Sequence, residues 1–421
     1  MKHWLKLPLV ALFALAPLVG LTRCGTRPEP DAGAALEPKS VKLVELFSWW
    51  TAPGEGEALQ ALIATHRQTH PHARLFNAAA ASGSRAQALL AERLKGPHPP
   101  DLFQKNAHDV PEFLRENPGA LEPLDELFHE LQLEQVVYPE VLANLRLGGH
   151  YYSMPVNIHR ENALFYNARL FAEHGLAPPS TFSELMQVCK KLKAAGVTPI
   201  ATADQGWILR VMFNSIAMGK MGAAHFHAYF MGQLPADDAE LRDAISTFGD
   251  ILAQYTNVDA KEEDFGWTNA AQAVYNGDAA MFFHGDWAKG YFTQLGWVPG
   301  VDFGVVGAPG ASEVFLYGVD VFAVPKGALN ERGAREFLTT VASPAGQIAF
   351  NTIKGSSPIR RDIPSSALDT LGRATVADLQ NAKIRMLIPS RPGWDEALQQ
   401  FAKDGDVSAV MRTFIALPPE H

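Results

Sequence analysis

The chain has 421 residues, a formal net charge of −9 at pH 7 and 47% hydrophobic residues. This length is enough for two or three domains that each have a hydrophobic core. The acidic balance argues against nucleic acid and against an electrostatic membrane patch as partners.

The first 23 residues have the pattern of a bacterial export signal. A basic start that contains Lys2 and Lys6 precedes an apolar run, residues 7–21, that prolines interrupt. This run is too short and too interrupted for a membrane span. We therefore predict a signal peptide at residues 1–23. Its removal takes away three basic residues and no acid, which changes the formal charge to −12.

The leader ends in a sequence that resembles a lipobox, the motif in which a cysteine becomes the lipidated first residue of a lipoprotein. Cys24 is therefore a candidate lipid anchor, although Arg23 stands where such motifs carry Gly, Ala or Ser. Residues 24–40 are rich in Pro, Gly and Ala and are predicted to be a flexible tether. The other cysteine, Cys189, lies at helical spacing and is predicted to be a buried small hydrophobe, which leaves no cysteine-based zinc pattern.

The mature chain alternates strands and helices, which implies a largely parallel sheet with right-handed crossovers. The first region is predicted to have strands at residues 41–47, 73–78 and 101–105 and helices at residues 57–70, 84–95, 109–116, 124–128 and 139–144. At residues 148–167 the pattern changes to an aromatic strand that contains Pro155 and then to a longer extended segment. This change indicates a crossing between two lobes.

A second α/β region follows the crossing. Its predicted helices are residues 168–174, 182–195, 239–254 and 270–276, with buried helices within 206–232, and its predicted strands are residues 198–203, 279–287, 301–308 and 313–325. The last of these strands again has the character of a crossing. Helices at residues 330–341 and 343–350, a loop at 351–360 and a helical tail complete the predicted elements.

The turn after the first strand carries a local signal for a ligand. Trp49 and Trp50 are followed by Pro-Gly and by two acids, Glu55 and Glu57, where a strand leads into a helix. Ligands of open α/β sheets bind there, beyond the carboxyl ends of the strands. A sugar suits such a turn because its C–H face stacks on indole while its hydroxyls donate to a carboxylate. In the alternative interpretation, one tryptophan belongs to the core and the acids cap the helix.

Six stretches in chain order resemble the carbohydrate-binding extracellular solute-binding proteins of bacterial ABC importers, family 1. They are residues 47–55, 99–104, 153–167, 266–286, 318–325 and 354–360. The Trp-Trp form of the first stretch is similar to the glucose- and mannose-binding members. The resemblance covers the chain from about residue 41 to its end.

This resemblance implies a two-lobed periplasmic-binding-protein fold of the α/β class. Each lobe is expected to have a mostly parallel sheet flanked by helices, with the ligand in the cleft between the lobes. Three hinge crossings are expected near residues 156–159, 317–320 and 355–358. The N-terminal lobe would then contain residues 41–156 and 319–354, and the C-terminal lobe residues 157–318 and 355–421.

Residues at positions that match the family are expected to bind the sugar. They are Trp50 or Trp49 as a stacking platform, Glu55, Gln104 and Lys105 in the first lobe, Asn157 and His159 at the first crossing, Trp267 and Asp286 on the far side, and Lys354 at the third crossing. Each has a plainer alternative. Trp287 is assigned to the core in preference to the ligand, His284 is open between a structural and a binding role, and both lysines are alternatively solvated surface residues.

The sequence departs from the family's monosaccharide binders near the C-terminus. In those monosaccharide binders, a Pro-Ser segment near the C-terminus is followed by a histidine that contacts the sugar. The corresponding residues of this chain, 388–394, contain no histidine. Trp394 could line a different or larger sugar, or belong to the core. The turn at residues 51–54 also replaces a Ser-Gly-Gly type turn. Both changes touch the expected pocket, so the identity of the sugar stays open.

The implied function is that of an extracytoplasmic sugar-binding subunit of an ABC transporter. It would capture a glucose-like monosaccharide, close, and deliver the sugar to the permease's transmembrane subunits and their ATPase. The protein is expected to be an exported monomer, in the periplasm or on the outer face of the cytoplasmic membrane, with no cofactor and no metal.

Two alternatives stay open beside this function. One is a binder of a disaccharide or another polyol. A polyol phosphate is included, because the cleft lysines are compatible with its negative charge. The other is an exported glycoside-active enzyme with Glu55 and Asp286 as acid and nucleophile. Against an enzyme, the sequence has no Gly-x-Ser-x-Gly elbow, no His-Glu-x-x-His and no P-loop.

Overall fold

A computed structural model describes residues 43–78, 83–258, 266–389, 391 and 393–416. The predicted signal peptide, the tether and Cys24 lie outside these described residues. The strands are β1 (Leu43–Phe47), β2 (Arg74–Asn77), β3 (Leu102–Asn106), β4 (Arg146–Leu147), β5 (His150–Tyr151), β6 (Met154–Pro155), β7 (His159–Arg160), β8 (Ala163–Asn167), β9 (Thr198–Ala201), β10 (Ala279–His284), β11 (Phe303–Gly307), β12 (Val314–Gly318), β13 (Asp320–Ala323) and β14 (Ile384–Leu387).

The helices follow the apolar periodicity of the sequence. They are α1 (Glu55–Thr69), α2 (Gly83–Lys95), α3 (Val110–Glu116), α4 (Asp125–Glu130), α5 (Leu133–Val136), α6 (Pro139–Leu145), α7 (Ala168–Glu173), α8 (Phe182–Ala194), α9 (Gly206–Met221), α10 (Ala223–Phe230), α11 (Ala239–Tyr255), α12 (Trp267–Asn276), α13 (Ala288–Gln294), α14 (Glu331–Ala342), α15 (Pro344–Lys354), α16 (Thr370–Asn381), α17 (Trp394–Asp404) and α18 (Val407–Ala416).

The chain passes between separate sheets at the three predicted crossings. One sheet has the strand order β2-β1-β3-β13-β6, a second β11-β8-β10-β9 and a third β14-β12-β7. Residues 156–158 join β6 of the first sheet to β7 of the third, and Val319 alone separates β12 from β13. At the third crossing, Ile158 pairs with Ser357. The prediction of a two-lobed α/β fold with three crossings is confirmed.

The sheets are mixed, whereas the sequence predicts mostly parallel ones. The pairs β1–β2, β1–β3, β10–β9 and β12–β14 are parallel. In contrast, β13 runs antiparallel to β3 and β6, and β8 runs antiparallel to β10 and β11. The crossings explain much of this difference, because a strand that enters directly from the other lobe has no crossover helix to restore its direction.

Two main hydrophobic cores underlie the lobes. The first core contains residues of α1, β1, β3, β13, α14 and α15. The second contains residues of α8, α9, α11, β10 and the C-terminal helices. Cys189 lies inside the second core, as predicted, and burial raises the pKa of its thiol to about 12. Trp394 is 1% exposed in the same core and stacks on Tyr229 at 5.2 Å. Of its two sequence interpretations, the core position is the observed one.

Candidate functional site

The β1–α1 turn divides its two tryptophans between the core and the surface. Trp50 is 2% exposed and packs against Phe322 and Phe350, with ring centroids 5.5 and 4.8 Å away. Trp49 is half-buried and borders a shallow pocket. Glu57 accepts a hydrogen bond from the backbone N–H of Gly54 at 2.7 Å, so this acid caps α1. Trp50 and Glu57 therefore follow the core-and-cap interpretation, and the sugar site at this turn stays a prediction for Trp49 and Glu55.

A buried amide connects this turn to the neighbouring strand. Gln104, the middle residue of β3, accepts a hydrogen bond from Ser48 Oγ at 2.8 Å and donates one to Asp320 Oδ1 at 3.2 Å. Lys105 is half-buried, with its Nζ 5.5 Å from the centre of the Phe113 ring. Trp49, Gln104, Lys105 and Phe113 line one shallow surface pocket. Three predicted ligand residues thus share a concave surface on the first lobe.

Glu55 and Lys354 form a buried ion pair across the first lobe. Their Oε1 and Nζ atoms are 2.8 Å apart, and Lys354 is 2% exposed. The ammonium also lies 5.9 Å from the centre of the Trp50 ring and 5.7 Å from that of Trp287. Helix α15 runs to Lys354, beyond the predicted end at residue 350, and this extra turn carries the lysine inward. The solvated-surface alternative for Lys354 is therefore wrong.

His159 lies between two carboxylates at the first crossing. Its Nδ1 is 2.5 Å from Asp286 Oδ1, and its Nε2 is 3.0 Å from Asp320 Oδ2. Burial lowers the pKa of His159, but the two carboxylates outweigh it and raise that pKa to about 9. His159 is therefore charged at neutral pH and donates from both nitrogens. The same partnership holds the pKa of Asp320 below its usual value against the opposing effect of burial.

Backbone groups and an amide complete the hydrogen bonding of these carboxylates. Asp286 Oδ2 accepts a bond from the backbone N–H of Arg160 at 2.8 Å. Asn157 Nδ2 donates to Asp320 Oδ2 at 3.0 Å, and Asn157 Oδ1 accepts from the Asp320 backbone N–H at 3.1 Å. We call Glu55, His159, Asp286, Asp320 and Lys354 the ionic cluster. It joins residues of α1, β7, β13, α15 and the loop that follows β10.

An aromatic group lies on the second lobe beside the ionic cluster. The ring of His284, the last residue of β10, is 5.3 Å from Trp207, 5.3 Å from Trp267 and 4.8 Å from Trp287, measured between centroids. Trp287 is also 4.9 Å from the His159 ring. We call Trp207, Trp267, His284 and Trp287 the aromatic cluster. All three tryptophans are half-buried, so the assignment of Trp287 to the core holds only in part.

The positions of the three tryptophan rings depend on the N-termini of two helices and on one glycine. Trp267 is the first residue of α12 and Trp207 the second of α9, so both rings stand where a helix begins. Trp287 folds back over Gly285, where an added Cβ would lie 1.8 Å from the indole. Any other residue at position 285 would displace this ring. The positions of the three tryptophans therefore follow from local geometry that is set around β10.

The two lobes touch at glycines beside the site. Gly54 has a φ of +85°, and a Cβ there would lie 2.5 Å from the backbone carbon of Gly290 on α13. Gly290 in turn packs against the backbone of Lys354, with a corresponding distance of 2.7 Å to its oxygen. Backbone meets backbone at this contact because neither glycine has a side chain. The contact brings the Trp-Trp turn against the second lobe.

The structure adds site residues that the sequence interpretation did not assign. Asp320 is bound by Gln104, Asn157 and His159, and Trp207 faces His284. Glu161 is half-buried, and burial raises its pKa to about 7 against the opposing charges of Arg210 and His159. Asp320 lies in residues 318–325, one of the six stretches that resemble the family. Its position in that stretch is a signal by which the sequence could have identified it. Trp207 lies in an apolar run at the start of a long helix, where the sequence gives no sign of a site.

Among the residues that the structure describes, no three or more His, Cys, Asp or Glu side chains are grouped so that they could hold a metal ion. The same part of the chain contains no helix with the length and apolar character that a membrane crossing requires.

Comparisons with known proteins bear on the family. The family model of bacterial extracellular solute-binding proteins matches residues 50–348. An uncharacterized ABC transporter extracellular-binding protein of Pyrococcus horikoshii is 31% identical over 396 residues, which are 92% of this chain and 87% of that protein. A probable sugar-binding periplasmic protein of Brucella suis is 30% identical over 384 residues, 91% of this chain and 87% of its own.

A solved structure shows the same fold. It is that of the bacterial solute receptor AcbH, described as having an exclusive substrate preference for β-D-galactopyranose, and it superimposes with a TM-score of 0.77. The match covers 89% of this chain and 97% of the receptor at 17% identity. At an identity this low, the match shows a shared architecture alone. Together with the family match, these findings show that the chain belongs to the bacterial extracellular solute-binding protein family.

Proposed function

We propose that this protein is the sugar-binding subunit of an ABC importer and captures a glucose-like monosaccharide between its lobes. One observation carries the proposal: the polar residues predicted from separate stretches meet the aromatic cluster in one place. Lys354 joins them, since its ammonium binds Glu55 and lies 5.7 Å from the ring centre of Trp287. The Brucella relative, named as a probable sugar-binding protein, supports the same substrate class.

The side chains match what a pyranose requires. Glu55 and Asp286 supply acceptors, and Lys354, Gln104 and Asn157 supply donors, so hydroxyls of either polarity have partners. The half-buried Trp49 and Trp267 offer indole faces to the apolar side of the ring. Trp50 is committed to the core, and the stacking role on the first lobe is therefore proposed for Trp49.

Closure of the lobes would connect binding to transport. Every carboxylate of the ionic cluster is engaged with a protein donor, so a bound hydroxyl must compete with or extend an existing hydrogen bond. Such exchange is favourable when water is excluded from the cleft. The sugar then stabilises the closed form by its differential affinity for that form, and the permease with its ATPase receives it.

The position of Trp394 bears on the larger-ligand alternative, in which this residue would line the cleft. Its indole is buried between Tyr229 and Phe414, with ring centroids 5.2 and 4.5 Å away. Trp394 is therefore a core residue, and its position gives no support to the larger-ligand alternative.

The enzyme alternative is less well supported by the carboxylates. A glycosidase needs two carboxyl groups that flank the scissile bond, one of them as a proton donor. Glu55 is paired with Lys354, and Asp286 with His159 and a backbone N–H. Carboxylates that are held by cations suit the acceptance of hydroxyl hydrogen bonds better than proton donation.

A thermal-shift screen of mono- and disaccharides tests the function. Because a ligand stabilises the folded state by mass action, we expect one or more of D-glucose, D-mannose, D-galactose and D-xylose to raise the Tm. A response to disaccharides alone would favour the larger-ligand alternative. Release of product from aryl glycosides would establish an enzyme. No response to any sugar would contradict the proposal.

We further propose that the protein is exported and held at the membrane surface by a lipid on Cys24. Replacement of Cys24 by Ser should release the protein from the membrane fraction and abolish incorporation of labelled palmitate. Equal labelling of the parent and Cys24→Ser proteins would contradict the anchor. Gel filtration of the soluble protein should show the monomer.

A further inference from the structure

His284 is a buried polar side chain that no described residue satisfies. It is 0% exposed, and neither ring nitrogen has a hydrogen-bond partner. One ring face lies near Phe282, with centroids 4.4 Å apart and planes at 21°, and Trp267 lies near-parallel at 24°. Its other ring neighbours, Trp207 and Trp287, are also aromatic.

The absence of partners has a cost that packing alone would not require. A buried polar atom without a hydrogen bond destabilises the folded state, and native proteins rarely keep such atoms without a functional reason. Phenylalanine has a similar planar ring and would fill the same aromatic surroundings without that cost. A histidine at this position therefore calls for a partner beyond the described residues.

Burial and nearby positive charge keep this imidazole neutral. Desolvation, with smaller contributions from Lys354 and His159, lowers the pKa of His284 well below its usual value. A neutral imidazole has one N–H donor and one nitrogen acceptor on opposite sides of its ring edge. This combination complements hydroxyl groups, each of which can donate and accept.

The position of His284 connects it to the proposed sugar site. It lies two residues before Asp286, a predicted hydroxyl acceptor, and its ring stacks near Trp267, the predicted platform of the second lobe. Trp287, on the other side of Asp286, bridges to Lys354 and His159. A sugar that lies against these tryptophans would bring its edge hydroxyls to the imidazole.

We propose that His284 is a ligand-binding residue that sets specificity, and that its two nitrogens exchange hydrogen bonds with hydroxyls of a pyranose held against Trp207, Trp267 and Trp287. The inference rests on the proposed sugar-binding function. It assigns the recognition of individual hydroxyls to the second lobe, where the sequence left His284 open. A site of this kind rejects an analogue that lacks the contacted hydroxyl, because the imidazole is then left unpaired.

His284→Phe separates a binding role from a structural one. We expect the variant to bind the tightest of D-glucose, D-mannose, D-galactose and D-xylose about tenfold or more weakly by isothermal titration calorimetry. The unliganded variant should melt about 2 °C or more above the parent protein, because two unpaired buried nitrogens are removed. A structural histidine would give the opposite sign of the Tm change.

His66→Phe is the matched control. His66 is also buried, but its Nδ1 is 2.8 Å from Thr340 Oγ1, and it lies between α1 and α14 rather than at the cleft. This variant should lose stability and keep the parent affinity. Equal effects of the two substitutions on both quantities would overturn the special role of His284.

Monodeoxy analogues of the same sugar identify the contacted hydroxyl. One analogue should bind the parent protein about tenfold more weakly, yet bind His284→Phe as well as the full sugar does. His284→Gln, which keeps a donor and an acceptor, should recover part of the affinity and serves in place of His284→Phe if that variant does not fold.

The inference and the proposed function fail in different ways. If the parent protein binds a sugar and His284→Phe binds it within twofold, or if no deoxy analogue distinguishes the two proteins, His284 does not contact the ligand. If the parent protein binds none of the four monosaccharides, the proposed monosaccharide function fails, and this inference with it.

Discussion

His159 and His284 are both buried beside the cleft, yet their surroundings have opposite effects on their protonation. His159 has a carboxylate at each ring nitrogen, and its pKa rises to about 9. His284 is buried beside four aromatic rings, and its pKa falls well below the usual value. Burial disfavours the charged form of both residues, so the partners decide the outcome. Among the described residues, the side chains of the ionic cluster have hydrogen-bond partners, whereas His284 of the aromatic cluster has none.

This difference suggests a division of labour between the two clusters. A fully paired network fixes the geometry of the crossings and offers few unpaired atoms, so its removal should damage stability first. The aromatic cluster contributes indole faces and unpaired nitrogens, so its removal should damage binding first. Substitutions in each cluster can test this division.

Asp286→Ala should have the largest effect. It leaves the charged His159 without its closest partner, and the loss of one member of a buried ion pair costs about 3–5 kcal/mol of unfolding free energy. Urea denaturation monitored by circular dichroism measures this change. Glu336→Ala is the control, because its ion pair with Arg332 is exposed and should contribute less than about 1 kcal/mol. Equal losses in the two variants would contradict the importance of the ionic cluster.

Stability should fall at alkaline pH because of His159. Below pH 6.5 His159 is protonated in both the folded and the unfolded protein. Its contribution to the free energy of unfolding is then fully present. Between 6.5 and about 9 the unfolded chain loses this proton while the folded chain keeps it, so the contribution declines, and above about 9 it is gone. The pKa difference corresponds to about 3 kcal/mol.

Denaturation of the parent protein and of His159→Gln at pH 6, 7.5, 9 and 10 checks this sign. The difference in unfolding free energy between the two proteins should shrink as the pH rises. A constant difference would show that His159 is neutral in the folded protein. Far-ultraviolet circular dichroism at each pH confirms that both proteins are folded before denaturant is added.

Much of the fold was predictable because its signals are local. Thr181 caps α8 and pairs with Glu184 in a capping box, and the helical periodicity of residues 182–194 was sufficient to place that helix. The crossing at residues 156–159 was indicated by its Pro-containing aromatic strand. Strand direction in the sheets was not predictable, since it depends on which lobe supplies each neighbour.

The site was predictable in its residue types and less so in its contacts. Trp49 and Trp50 are adjacent and chemically identical, and which one enters the core depends on Phe322 and Phe350, far along the chain. The ion pair of Glu55 with Lys354 joins residues that are 299 positions apart. No local pattern can indicate that the nitrogens of His284 have no partner in the described part of the chain, because that is a property of the assembled fold.

Trp267→Ala tests the role of the aromatic cluster, and we expect an intermediate loss of sugar affinity. Its half-exposed indole should contribute about 2 kcal/mol to sugar binding, roughly a 30-fold change in Kd, with a smaller effect on stability. Trp297→Ala is the matched control, since Trp297 is also half-buried but packs against Tyr275 and Phe292. Calorimetric titration of both variants should show weakened binding in Trp267→Ala alone. Equal affinities would remove Trp267 from the site.

The smallest effect is expected for Lys105, and it sharpens the contrast with Lys354. Lys105 is half-buried near the Phe113 ring, with no ion pair among the described residues, and Lys105→Met should change sugar affinity by about 0.5 kcal/mol or less. Lys354→Met leaves Glu55 buried without its cation, so it should weaken binding by about 2 kcal/mol or more and also lower the Tm. Titration calorimetry and thermal melts of the two variants measure both quantities. A large loss of affinity in Lys105→Met with unchanged Tm would instead show that Lys105 binds the sugar directly.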